Sequence, residues 1–186
     1  MQKIRFYIVL QVSYGLLMLI SQDVYSQDFI NIRKITLNKE DTTIVAGILA
    51  DVKLENVNPS IYYYWYSNSE IFSNQGGYSG NLLHGEYIEY GEDGKLILKG
   101  RFNRGLKSGK WTIWHKDGSI KEIIGYEEGK LNGQHILYTD DGKILFQATY
   151  KNDILNGESR IIENDTLFQV IFKNGTEKKR TPLHVY

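Results

Sequence analysis

The chain has 186 residues, 41% hydrophobic and 13% aromatic, which is enough to bury a core within one domain; two prolines and 24% charged residues exclude a wholly disordered polymer. Twenty-two basic residues balance 22 acidic ones, so the overall charge gives no basic footprint for nucleic acid or anionic lipid. There is no cysteine, which excludes a disulfide framework and a lipid anchor attached through cysteine.

At the N-terminus, Lys3 and Arg5 form a positive n-region, residues 6 to 20 are mostly apolar, and Val24-Tyr25-Ser26 resembles a signal-peptidase site. Residues 1–26 are therefore expected to be a signal peptide cleaved before Gln27. The alternative is a retained anchor, but the apolar run falls short of the roughly 20 residues that span a bilayer. Export places the mature chain in the periplasm, in the cell envelope or outside the cell.

Residues 27–77 are expected to form an N-terminal β cap. "IRKITLNKEDTTIVAGILADVK" alternates well enough for a hairpin with "NKED" as its turn. "LENVNPSIYYYWYSNSEIFSNQGGY" falls into register with the segment after it when shifted by 24 residues, with Leu54 on Tyr78, Ile61 on Gly85 and Tyr66 on Tyr90, and reads as a degenerate repeat.

Residues 78–176 form the repeat array. Gly85, Gly109, Gly133 and Gly157 lie 24 residues apart. Tyr78, Phe102, Tyr126 and Tyr150 keep the same step, with Phe172 two residues early, and so do Tyr66, Tyr90, Trp114 and Tyr138, ending in Ile162. Gly94, Gly118 and Gly142 form a further column that closes with Asp165 one residue early. A fixed period of this size is the signature of a stacked array. Each copy holds two alternating apolar runs joined by Asp-Gly, as in "GEYIEY", "GEDG", "KLILKGRF", which is a β-hairpin signal. A helix is disfavoured, because glycine costs about 1 kcal/mol relative to alanine within one and 16 of the 18 glycines fall between Gly76 and Gly175. The second link, "NRGLKSG" or "EEGKLNG", reads as the longer one and returns the chain to the next hairpin.

Parity along the second strand of each copy divides two faces. Leu96, Leu98 and Phe102, then Ile120, Ile124 and Tyr126, then Ile144, Phe146, Ala148 and Tyr150 make one face apolar, broken by Glu122. The other carries Lys99, Arg101, Lys121, Gln147 and Thr149 with Ile97, Ile123 and Leu145, and is mixed. A lone hairpin cannot bury a face, so the copies must stack edge to edge. The fold expected is all-β, an elongated single antiparallel sheet of stacked β-hairpin repeats. Residues 177–186 lose the pattern and read as a solvated, basic C-terminal tail.

"YEEGKLNG", "YSGNLLHG" and "FNRGLKSG" resemble the MORN-repeat family in its bacterial variant form, over about residues 78 to 176; "YKNDILNG" departs, with Asp153 where the family has glycine. The resemblance implies a hairpin array with an interaction or scaffold role. Bacterial relatives often carry the label of antitoxin component YwqK, a label at odds with an export signal.

Chemistry-bearing motifs are sparse. His84, His115, His135 and His184 lack metal-ligand spacing, "DDGKIL" at 140 to 145 lacks the downstream acid of a calcium loop, and Glu86, Glu89, Glu92 and Asp93 read as a solvated acidic face. No serine elbow, phosphate loop or cysteine nucleophile occurs, so neither an enzyme nor a bound metal or cofactor is expected. In the run Tyr62 to Tyr66 neighbours must face opposite ways, and Tyr63, Tyr87 and Trp111 share a column. They read as an exposed aromatic stripe for protein or glycan, unless that face packs under neighbouring loops. Three functions follow: an exported interaction scaffold with a protein partner, an antitoxin-type protein masking a toxin, or an envelope glycan or lipid binder.

Overall fold

The computed structural model describes residues 31–164 and 166–183. The expected signal peptide, its cleavage site, Asp165 and His184 lie outside the described residues.

Fourteen strands build one open antiparallel sheet: β1 (Ile32–Asn38), β2 (Thr42–Leu49), β3 (Tyr62–Ser67), β4 (Glu70–Gln75), β5 (Asn81–Gly91), β6 (Leu96–Asn103), β7 (Leu106–Trp114), β8 (Ile120–Glu127), β9 (Lys130–Tyr138), β10 (Ile144–Lys151), β11 (Ile154–Leu155), β12 (Gly157–Glu163), β13 (Thr166–Lys173) and β14 (Thr176–Leu183). The ladder runs β1-β2-β5-β6-β7-β8-β9-β10-β12-β13-β14, with β11 paired to β10. This is the single antiparallel sheet of hairpins that the 24-residue period calls for. "NKED" does turn β1 into β2, closed by the Lys39 N–H on the Thr42 carbonyl at 2.8 Å.

Two links alternate along the array, and their sizes are the reverse of the sequence reading. The Asp-Gly links are the wider ones: the Gly91 N–H donates to the Lys95 carbonyl, and the His115 and Thr139 N–H groups repeat this on Ser119 and Lys143. The links read as long are two-residue turns, because "LKSG" and "KLNG" already belong to β7 and β9. Arg104-Gly105, Glu128-Gly129, Asn152-Asp153 and Asn174-Gly175 all have positive φ at both positions, the type I′ geometry that suits the twist of a tight hairpin. Each second turn residue then donates its N–H backwards: Gly105 to the Leu83 carbonyl, Gly129 to Lys107, Asp153 to Leu131 and Gly175 to Leu155, at 2.7 to 3.0 Å. These bonds tie each copy to the one before.

The glycine column at 85, 109, 133 and 157 sits inside strands, not in turns. Lys99 pairs with Thr112 and Arg101 with Ser108, so Gly109, Lys110 and Trp111 together face Gly100, and the same irregularity recurs in β8–β9. A bulge of the kind that turns on a left-handed residue favours glycine there. Gly109 and Gly133 take that position with φ of 67° and 91°, with open space where a Cβ would stand, so the preference is conformational.

Two segments differ from the sequence reading. The degenerate repeat does form a hairpin, β3–β4, but it is no rung of the ladder: β2 takes the edge of β5, and β3 joins β5 only through Trp65 with Leu82 and Tyr66 with Asn81. Thr176–Leu183, read as part of a tail, is strand β14. Its Lys178, Lys179 and Pro182 are residues that blunt an exposed edge strand, so its basic character marks the end of the sheet.

The core lies on one face of the sheet. Leu37, Ile44, Ala46, Ile48, Leu83, Phe102 and Trp111 are buried together, and Tyr64, Tyr66 and Ile71 of the β3–β4 hairpin pack onto them. The hairpin's other side closes a second cluster of Ile61, Tyr63, Trp65 and Leu82.

Candidate functional site

Tyr63, Tyr87 and Trp111 do not form an exposed stripe. Tyr63 is 3% exposed, lies in the second cluster, and its hydroxyl accepts the Asn58 N–H at 3.0 Å. Tyr87 and Trp111 lie in the main core with ring centroids 5.7 Å apart, and Trp111 is 2% exposed. The reason is register: Tyr87 pairs with Gly100 and Trp111 with Ile124, which share the face of Phe102 and Tyr126. Trp111 lies flat on Gly100, where a Cβ would stand 2.1 Å from its ring. Burial, with Glu89 beside it, raises the Tyr87 hydroxyl well above the usual tyrosine range.

The remaining repeat positions divide as follows. Phe102 is buried, Tyr78, Tyr126 and Tyr150 are half-buried, and Tyr90, Trp114 and Tyr138 sit half-buried at the Asp-Gly end of the strands. Gly85, Gly109, Gly133 and Gly157 are bulge positions, and Gly94, Gly118 and Gly142 are turn positions, all at positive φ.

The acidic residues read as one face are separated. Glu86 pairs with Lys99 and Asp93 with Lys95, each at 3.1 Å, while Glu89 adjoins Tyr87. "DDGKIL" is a hairpin turn in which Asp141 holds Lys143 at 2.7 Å. His84 Nδ1 accepts the Arg104 N–H. Among the described residues no three His, Asp or Glu side chains are grouped as a metal site.

What the fold does bring together is a set of exceptions. The column Leu83, Leu131, Leu155 is broken by Lys107; the column Leu98, Phe146, Val170 by Glu122; the column Tyr63, Tyr87, Trp111 by His135 and, after it, by the small buried Ser159 on β12. The three ionisable exceptions, Lys107, Glu122 and His135, fall on neighbouring strands β7, β8 and β9, on the core face. Glu122 Oε1 lies 2.6 Å from His135 Nε2, with both side chains about one-fifth exposed. The imidazole meets Phe146 edge-on at 5.3 Å and tilts over Tyr150 at 6.2 Å. The Lys107 ammonium lies 5.5, 4.7 and 5.1 Å from the ring centroids of Tyr64, Trp111 and Tyr126, within cation–π range. Burial pulls the Lys107 pKa below the usual lysine range, opposed by the Glu122 charge.

A cation, a carboxylate and an imidazole among aromatic rings offer both donors and acceptors on a surface that the array otherwise keeps apolar. Glu122 is visible in the sequence as a break in parity, but Lys107 and His135 gain meaning only when the columns are compared 24 residues at a time.

Two segments of the array, residues 83–104 and 131–152, match the family described as MORN repeat variant. No curated protein and no solved structure matches the chain.

Proposed function

We propose that the protein is an exported, non-enzymatic interaction scaffold that holds a protein partner on the core face around Lys107, Glu122 and His135. One observation carries this reading: the three ionisable departures from mainly apolar columns meet in a single patch. A repeat array is maintained by its columns; pairing accounts for Glu122 beside His135 and for the Glu122 charge near Lys107, but not for placing the three in apolar columns at all, where they cost stability that a partner's contacts would offset. The surroundings are those of an interface anchor, with Trp111, Tyr126 and Tyr150 framing the charged groups. Two repeats of a family used for binding support the scaffold class, and the positive n-region, apolar run and Val24-Tyr25-Ser26 support export.

The test restores the columns. A Lys107→Leu, Glu122→Leu, His135→Tyr variant should melt at or above the wild-type temperature, because replacing half-buried charges with apolar residues that fit is neutral or stabilising by about 1–4 kcal/mol. Wild-type chain crosslinked in an envelope fraction should yield a defined protein partner, with its own N-terminus at or near Gln27. The variant should recover that partner at least tenfold less well. Equal recovery by both forms, or recovery of the scaffold only from cytosol with Met1 intact, would defeat the proposal.

A further inference from the structure

At the opposite end of the strands from the type I′ turns, a cavity of about 720 Å³ opens where the β1–β2 hairpin meets the array. Its origin is architectural. The Asp-Gly turns at 91–95 and 115–119 follow one another in the array, but the link before them is the differently shaped turn at Lys39–Asp41, which leaves a gap in the row. The volume lies within the roughly 300–1,000 Å³ of small-ligand sites.

Trp114, Leu96 and Ile97 give the cavity its apolar wall, while Asp41, Glu92 and Lys116 bring charge to it. Asp93 and Lys95 also line it but neutralise each other at 3.1 Å, and the Lys95 ammonium further donates to the Lys116 carbonyl at 3.2 Å. This bond braces the two turns. His115 is held from outside by Asp140 at 3.2 Å, and its buried Nε2 has no hydrogen-bond partner among the described residues.

We infer that this cavity is a binding site for a small neutral saccharide, stacked on Trp114 and hydrogen-bonded through Asp41, Glu92 and Lys116. Elimination supports the class. With Asp93 and Lys95 cancelling, an anion meets the carboxylates of Asp41 and Glu92 against the single ammonium of Lys116. A purely apolar ligand would strip water from several charged groups without replacing their hydrogen bonds. An organic cation is served best by several rings, and only Trp114 is present. A sugar ring has a C–H face for one aromatic ring and a rim of hydroxyls that both donate and accept, which matches one tryptophan bordered by two free carboxylates and an ammonium. The site is separate from the Lys107 patch and does not depend on it.

The full chain is titrated with chitotriose, cellotriose and, as the cation arm, tetramethylammonium, while the backbone amide signals of the two bordering turns, Gly91 to Lys95 and His115 to Ser119, are followed by NMR in wild type and variants alike. One of the saccharides should give a saturable shift, and Trp114→Ala should weaken it at least tenfold with the melting temperature held within a few degrees. Where Trp114→Ala fails to fold, the exposed pair Asp41→Asn with Glu92→Gln carries the same expectation of tenfold weakening. No saturable shift with either saccharide, saturation by tetramethylammonium alone, or saccharide binding that survives both variants would overturn the assignment.

Discussion

The array is one sequence pattern in two environments. Over β5 to β7 the β3–β4 hairpin lies across the ends of the strands: the Tyr64 N–H donates to the Gly105 carbonyl at 2.8 Å, and the Tyr64 ring meets Phe102 at 5.0 Å. Past the Gly129 turn nothing equivalent lies across β9 to β13 among the described residues. The same columns therefore differ in burial. Phe102 is 3% exposed while its counterparts Tyr126 and Tyr150 are half-buried, and Leu82 is fully buried while its counterpart Ile154 is 49% exposed. Small residues of the central row, such as Ala148, Ser159 and Val170, are buried even in the uncovered half, because larger neighbours suffice to shield them. The repeat thus sets the ladder, and the covering hairpin decides which large side chains become core.

The largest test of that contrast compares two members of one column. Phe102→Ala should cost about 3–5 kcal/mol, the cost of emptying a buried aromatic site. Tyr150→Ala, at the equivalent position of the uncovered half, should cost less than half as much in the same denaturant series. Equal losses would mean that the hairpin adds nothing to the burial of the column.

A second contrast concerns two kinds of glycine. Gly100→Ala puts a methyl group 2.1 Å from the Trp111 ring in the covered half, and overpacking of this sort costs about 1–3 kcal/mol. Gly133→Ala meets no neighbour, but its φ of 91° burdens an L residue by about 1–2 kcal/mol. Tryptophan fluorescence separates the two variants, since only Gly100→Ala should move Trp111. A shift in both would show that the bulge glycine is tied to the core after all.

How much of this was legible in the sequence follows from the same contrast. Period, hairpins, turn aspartates and the apolar parity of Phe102, Ile124 and Ala148 are local, and each is written in residue order. The burial of Tyr63 and Trp111 is not, because it depends on which strand pairs with β5 and on a bulge that resets facing. Asp153 shows the limit well. A Cβ at Gly105 would stand 2.6 Å from the Leu82 side chain and one at Gly129 2.7 Å from that of Ile61, so a side chain there would push on the second cluster, and glycine avoids the crowding. Asp153 lies beyond that cluster, and its carboxylate accepts the Leu131 N–H at 2.7 Å. The departure is plain in the sequence, but its cause is tertiary. The candidate site was hidden for a related reason, since Lys107, Glu122 and His135 belong to three different columns and meet only across strands.

The smallest expected effect lies in the Asp-Gly turns, which both halves share. Asp93, Asp117 and Asp141 occupy one column. The Asp93 carboxylate accepts the Lys95 N–H, Asp117 accepts the Ser119 N–H and hydroxyl, and Asp141 accepts the Thr139 hydroxyl and pairs with Lys143. These partners hold all three carboxyls below their usual range, Asp141 down to about 2. A carboxyl with a lowered folded-state pKa stabilises the fold above its unfolded value near 4, and that contribution disappears as pH falls toward the folded value. Asp141→Asn should therefore melt slightly below wild type at pH 6, with the gap closing between pH 4 and about 2. Asparagine retains the side-chain carbonyl, so charge alone is removed, and full exposure keeps the gap smaller than that of Gly133→Ala. Asp93→Asn, in the turn of the covered half, should show the same closing gap, because neither turn lies under the hairpin. A gap that persists unchanged at pH 2 would assign the turn's contribution to its hydrogen bonds, and a gap confined to Asp93→Asn would extend the influence of the hairpin to the far ends of the strands.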